Sequence, residues 1–310
     1  MPYKKTILLL VILCFVIGFL SYSKKDLTYS YYHWKNTFDL KENQDKIYIK
    51  ALDIDYSKKL EVIRTKFNSK PKNDFVPVIY ISNKAIKEAD LSLLVKNILE
   101  ELKALPYSYD ELQFDCDWSL STRAKYFDLL EEIKKNTKKK LSATIRLHQI
   151  KYAKKTGIPP VDYGVLMYYN MSDIVKYDTK NSILDNEIAR KYHFNFDIYP
   201  LRLKLALPLY SQAIQFRNKE ALSIFEGVIQ KDFEDKFTLV DDNYYEVNKS
   251  FYFKGRYIYK GDTFRYEDSS LEEIKIALED FFDLANDPFY EVIFYSVHYK
   301  NKYDLNRLKH

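Results

Sequence analysis

The chain has 310 residues, with 49 Lys and Arg against 44 Asp and Glu and a net charge of +5. So modest a charge argues against nucleic acid as a partner, and the length suits one barrel of roughly 250 residues or two small domains. Six glycines form no phosphate loop and two cysteines show no zinc spacing with histidine, so no metal and no cofactor is expected.

Met1-Pro-Tyr-Lys-Lys is a short basic start, followed by an apolar run from Ile7 to Leu20 and then Ser21-Tyr22-Ser23. The run is short for a membrane span and right for a signal-peptide core, with small residues placed for cleavage. Residues 1–23 are therefore expected to be a signal peptide, and 24–310 a single exported domain in the cell envelope. The alternative is membrane attachment through an uncleaved N-terminal segment, with Lys24-Lys25 at the membrane face. A lipid on Cys14 is disfavoured because Leu13 is too large for the position before it. Once the leader is removed only Cys116 remains, so no intramolecular disulfide is expected.

The remainder alternates between strand and helix signals. Strands are predicted at Tyr31–Phe38, Lys46–Asp55 and Asp74–Ser82, and helical spacing over Leu91–Leu105 ends at Pro106. The fourth strand alternates apolar Leu112, Phe114 and Cys116 with polar Gln113, Asp115 and Asp117, and a helix over Ser121–Asn136 follows. Lys134, Lys135 and Lys138 to Lys140 close that helix at the negative end of its dipole. Leu141–Ile150 is the fifth strand, with Ser142, Thr144, Arg146 and His148 on its polar face. Tyr163–Met171 is the sixth strand, Asn181–Tyr192 a helix, Leu201–Gln212 the seventh strand and Lys219–Gln230 another helix. A β-rich insertion is expected at 232–268, then a last helix over Leu271–Ala285 and an eighth strand at Glu291–Tyr299. Eight strands with helices between most of them predict an α/β fold, a (β/α)8 TIM barrel with a β-rich insertion before the last helix and strand. The doubly wound open sheet is disfavoured by the strand count and by the lack of a dinucleotide fingerprint.

Chemistry in such barrels sits at the carboxyl ends of the strands. The candidates there are Trp34, Asp53, Asp115, Asp117, Arg146, His148, Tyr169, Asn170, Tyr210 and Gln212. Strand periodicity puts Asp115 and Asp117 on one face, where mutual repulsion separates their pKa values, so that one stays protonated while the other stays charged. Glycosidic bond cleavage needs such a pair. Bland readings stand beside these: the carboxylates capping a strand end or binding a cation, Arg146 as a structural ion pair, His148 as an orienting group, Asp53 as a turn cap.

Asp110-Glu-Leu-Gln-Phe-Asp115-Cys-Asp117 resembles the Asp-x-x-Asp-x-Asp-x-Glu motif of family 18 glycoside hydrolases. Gln113 stands where the second Asp would be and Asp117 where the Glu general acid would be. Met167-Tyr-Tyr-Asn170 similarly resembles that family's Met-x-Tyr-Asp, with Tyr169 matched. A bacterial family of exported barrel proteins, known only as a domain of unknown function, is similar over most of the mature chain. There the matching segments are the Tyr-x-Trp around Trp34, Leu52-Asp-Ile-Asp55, Asp115/Asp117, Met167 to Met171 and Leu207-Pro-Leu-Tyr210. The resemblance implies a glycoside hydrolase-like barrel with a carbohydrate ligand, Asp117 as general acid, Asp115 as the stabilising carboxylate and Tyr169 as a hydrogen-bond donor. Its substrate-binding residues would be Trp34, Asp53, Arg146, His148, Asn170, Tyr210 and Gln212. Replacement of two of the helper acids weighs against acetamido-assisted hydrolysis. The alternative is a non-catalytic envelope protein that binds glycan or serves as a scaffold. A metal-dependent hydrolase built on Asp53, Asp55 and Asp115 is a weaker third reading.

Mass spectrometry of the envelope fraction is expected to find a mature chain beginning near Lys24. Full-length protein in the inner membrane would select the anchor, and full-length protein in the cytoplasm would overturn export.

Overall fold

Short β-branched and aromatic runs with a period of two produce the strands that dominate the computed structural model, which describes residues 27–40, 45–71 and 75–308. Eight of them are parallel and close into a barrel: β1 (Thr28–His33), β2 (Ile47–Tyr56), β3 (Phe75–Ile81), β4 (Glu111–Asp115), β5 (Lys140–Arg146), β6 (Tyr163–Met167), β7 (Leu203–Pro208) and β8 (Glu291–Tyr295). Closure is made by β1, which pairs with β2 through Tyr31–His33 and with β8 through Thr28–Tyr31. The segment 1–23, read as a leader, lies outside the described residues. No described helix is long and apolar enough to cross a membrane.

Helices cover much of the outer face. They are α1 (Asn83–Glu88), α2 (Leu91–Lys103), α3 (Arg123–Thr137), the short α4 (Leu147–Lys151), α5 (Ala153–Thr156) and α6 (Asn186–Arg190), and α7 (Leu271–Leu284). In α2 the buried Leu94, Ile98 and Leu102 recur every fourth residue, which lays one stripe against the barrel. The Asp90 carboxylate caps its first turn by accepting from Leu93 N at 3.0 Å. Cys116 packs in this outer core, buried beside Phe114 and Trp118.

The barrel interior is layered. Tyr32, Tyr48, Val78, Tyr163, Val165 and Ile293 form an inner core. Toward the amino ends of the strands lies a buried ionic layer. Lys204 Nζ sits 2.8 Å from Glu291 Oε2 and donates to the Tyr48 hydroxyl at 2.9 Å. Tyr163 Oη donates to Glu111 Oε2 at 2.8 Å, and Lys46 adds a second cation 3.4 Å from Glu111. Burial opposes the charge on Glu291, but Lys204 and Lys46 outweigh it and hold the carboxyl below its ordinary pKa.

The β-rich insertion precedes α7, and its extent differs from expectation. A five-stranded antiparallel sheet is built from Ser211–Arg217, Glu220–Glu226, Phe237–Asp241, Tyr244–Val247 and Thr263–Asp268. The helix expected over 219–230 is therefore a strand. Asn218 and Lys219 both take positive φ, 51° and 66°, as a two-residue hairpin turn requires, and cross-strand pairing with Ser211–Arg217 overrides the local helical spacing. The expected seventh strand, Leu201–Gln212, is divided: β7 ends at Pro208 and the new sheet begins at Ser211. The helix expected over 181–192 shrinks to α6, and the eighth strand stops at Tyr295.

Removing one partner of a buried ion pair costs about 3–5 kcal/mol, because the other charge is left alone. Lys204→Met is expected to lose stability on that scale in urea denaturation, with part of the loss recovered when Glu291→Gln is added.

Candidate functional site

The carboxyl ends of seven of the strands converge on a cleft of about 500 Å³. Trp34 follows β1, Tyr80 lies near the end of β3, and Asp115, Arg146 and Tyr295 end β4, β5 and β8. Tyr169 and Tyr210 lie just beyond β6 and β7. Aromatic rings make up much of the wall: Tyr169 stacks on Tyr295 at 5.9 Å, Tyr210 meets Tyr295 edge-on at 5.6 Å, and Trp34 meets it at 6.1 Å.

Asp115 lies at the floor, 8% exposed. Its Oδ1 accepts from the Thr144 hydroxyl at 2.7 Å. Burial pushes the carboxyl up to about 6, against the pull of Thr144 and Arg146 and with a smaller push from Asp117. Asp117, two residues on and past the strand end, has a side chain 63% exposed. Arg146 holds it in a two-pronged grip, Nε to Oδ1 at 2.8 Å and Nη2 to Oδ2 at 3.0 Å. Both oxygens of the expected general acid are thus occupied by donors. Tyr169, the expected donor, is buried, and its phenol is pushed well up, by burial first and then by Tyr32. The Tyr169 hydroxyl meets only the Met167 sulfur, at 3.5 Å.

The other expected residues divide. Asn170 lines the cleft in a left-handed conformation, φ 55°, and accepts from the Tyr210 hydroxyl at 2.7 Å. Gln212 also lines the cleft, but its amide nitrogen is committed to Ser182 Oγ at 3.0 Å and Glu267 Oε2 at 2.8 Å. Asp53 is not part of the lining. A bulge between Lys50 and Leu52 shifts the strand register, so residues three apart share a face, and Lys50 Nζ reaches Asp53 Oδ2 at 2.7 Å. His148 is displaced as well. The fifth strand ends at Arg146, whose backbone N–H is capped by Gln149 Oε1 at 2.7 Å, so His148 falls in the first turn of α4. It lines an adjoining hollow of about 80 Å³ instead. No group of three or more metal-ligating side chains occurs among the described residues.

The sequence reading missed Tyr80, Tyr295 and Glu226. The two tyrosines obey the strand-end rule and were findable by alternation; Glu226 lies on the strand mistaken for a helix. One wall combines the loop after β6 with the insertion. The buried Arg265 locks the two together, donating to the carbonyls of Ile174 at 2.8 Å and Lys176 at 2.6 Å and to Glu267 at 2.6 Å.

No family model matches the chain, and no curated protein matches it. Among solved structures, a chitinase from Chromobacterium violaceum is similar at a TM-score of 0.50 and 9% identity, over 87% of this chain and 94% of that one. The spore cortex-lytic enzyme SleL from Bacillus cereus follows at 0.48 and 12% identity, over 89% and 72%. The likeness to the chitinase extends over nearly the whole of both chains and bears out the barrel fold.

A carboxyl raised from 3.8 to about 6 by folding opposes the folded state as it ionises, by about 3 kcal/mol at neutral pH. Its stabilising contribution is therefore full below about 4 and lost as the pH rises through about 6. Asp115→Asn, which keeps the Thr144 hydrogen bond, is expected to gain stability over the parent across that window, as read by urea denaturation at stepped pH.

Proposed function

We propose that the cleft cleaves glycosidic bonds in an oligosaccharide or glycan outside the cytoplasm, with Asp115 as the proton donor. The observation that carries this reading is a buried carboxyl, raised to about 6, at the floor of an open cleft with aromatic walls. A buried carboxyl with its pKa raised, next to a second carboxylate held in place by a guanidinium, is the pairing that glycosidic cleavage uses. The fold likeness to a chitinase supports a glycan ligand.

The two acids exchange the roles that the strand-four motif implies. Asp115 gives its proton to the leaving glycosidic oxygen. Asp117, oriented by Arg146, faces the positive charge that develops on the sugar ring. Trp34 and Tyr295 offer flat faces to the sugar rings, and the Tyr169 hydroxyl, held only by the weak Met167 sulfur acceptor, turns to a sugar oxygen. Water adds to the ring carbon, and its released proton restores Asp115. Export rests on the basic start, the apolar run and the small residues of positions 1–23.

The Arg146–Asp117 grip also favours a second reading, in which the cleft binds glycan without cutting it. Turnover separates the two. Against a panel of amino-sugar and neutral-sugar oligosaccharides, the parent is expected to cleave at least one, and Asp115→Asn to lower turnover by about 10²–10⁴-fold. Because the acid must be protonated, kcat/KM should hold at low pH and fall as the pH rises through about 6. Asp117→Asn is expected to slow turnover while leaving that limb in place. A parent that binds oligosaccharide but cleaves none would establish the binding protein, and an alkaline limb removed by Asp117→Asn alone would return the acid role to Asp117.

A further inference from the structure

The wall supplied by the insertion carries a carboxylate without a cation. Glu226 ends the strand Glu220–Glu226 and lines the cleft with Ile224 of the same strand. Its Oε1 accepts from the Tyr299 hydroxyl at 2.7 Å, and no Lys, Arg or His pairs with it among the described residues. Lys302 donates instead to the Gly227 carbonyl at 3.3 Å and lies 4.9 Å from the Tyr299 ring.

The backbone next to Glu226 is shaped for this contact. Gly227 adopts φ +74°, and a Cβ there would stand 3.0 Å from the Tyr299 hydroxyl oxygen. Only glycine admits both the conformation and the ring that orients Glu226. Glu226 also shares a chamber with Asp115. Burial raises the Tyr295 phenol, and the carboxylates of Glu226 and Asp115 both raise it further.

Charge balance then decides which sugars suit the chamber. The charged side chains lining it are Asp115, Asp117, Arg146 and Glu226. Arg146 is spent on Asp117, so the excess charge is negative and comes from Glu226 and the ionised fraction of Asp115. Such a cleft repels glycans bearing carboxylates and attracts a protonated amine.

We propose that Glu226, oriented by Tyr299, binds the ammonium group of an amino sugar, so that the cleft selects glycans with free amino groups over N-acetylated or uronic ones. This rests on the cleft being a glycan site and adds the class of glycan. The test is titration calorimetry of the purified protein with glucosamine oligomers and N-acetylglucosamine oligomers, at a pH where the amine is protonated and at two salt concentrations. The parent is expected to prefer the glucosamine oligomer by roughly fivefold, the scale of one exposed ion pair, and to lose that preference in high salt. Glu226→Gln should abolish the preference and its salt dependence, and Tyr299→Phe should weaken it. Equal or tighter binding of the N-acetylated oligomer by the parent would overturn the selectivity while leaving the glycan site intact. So would a preference that survives in Glu226→Gln. Binding of neither oligomer, nor of any other sugar in the panel, would overturn the glycan site itself and this inference with it.

Discussion

Closure of the parallel barrel is the constraint from which the rest of the molecule follows. Because β1 pairs with β2 on one side and β8 on the other, no strand edge is left for the eight strands to diverge along. All the carboxyl ends therefore meet at one rim. Trp34, Asp115, Arg146 and Tyr295, far apart in sequence, become neighbours there. The side-chain period of two then sorts each strand into an outward face that packs on helices and an inward face that fills the barrel.

The two ends of that interior treat charge in opposite ways. At the amino ends, Glu111 and Glu291 share Lys204 and Lys46 as well as the hydroxyls of Tyr48, Tyr163 and Ser30, so desolvation is answered by attraction and hydrogen bonds. At the carboxyl ends, Asp115 is equally enclosed but has one hydroxyl donor, and its nearest guanidinium is engaged by Asp117. The first arrangement holds carboxylates charged; the second pushes a carboxyl up to about 6. Stability is therefore given up at the mouth as Asp115 ionises.

The insertion is what turns a barrel mouth into a walled cleft. Arg265 and Glu267, both fully buried, help tie its antiparallel sheet to the loop after β6, through the strand Thr263–Asp268. The strand Glu220–Glu226, two places from the strand Thr263–Asp268 in that sheet, then presents Ile224 and Glu226 to the space above Asp115. A buried ion pair with this many hydrogen-bond partners acts here as a positioning device.

The sequence by itself determined the eight strands, the barrel class and the carboxylate at the floor of the cleft, because each depends on local alternation and on a rule about strand ends. It also marked Trp34, Tyr169, Asn170 and Tyr210 as cleft residues, and the same reasoning extends to Tyr80 and Tyr295. What it could not determine were contacts made across the fold. The strand at 220–226 has helical spacing of its own and is extended only because Ser211–Arg217 pairs with it. A one-residue bulge puts Asp53 on the same face as Lys50, whose ammonium pairs with it outside the cleft lining, and His148 was displaced by a strand that ended two residues before it. What distinguishes the two strand-end acids was likewise a tertiary matter. Asp115 and Asp117 are nearly equivalent in the chain, and only the burial of one and the Arg146 grip on the other, both set by neighbouring strands, tell them apart.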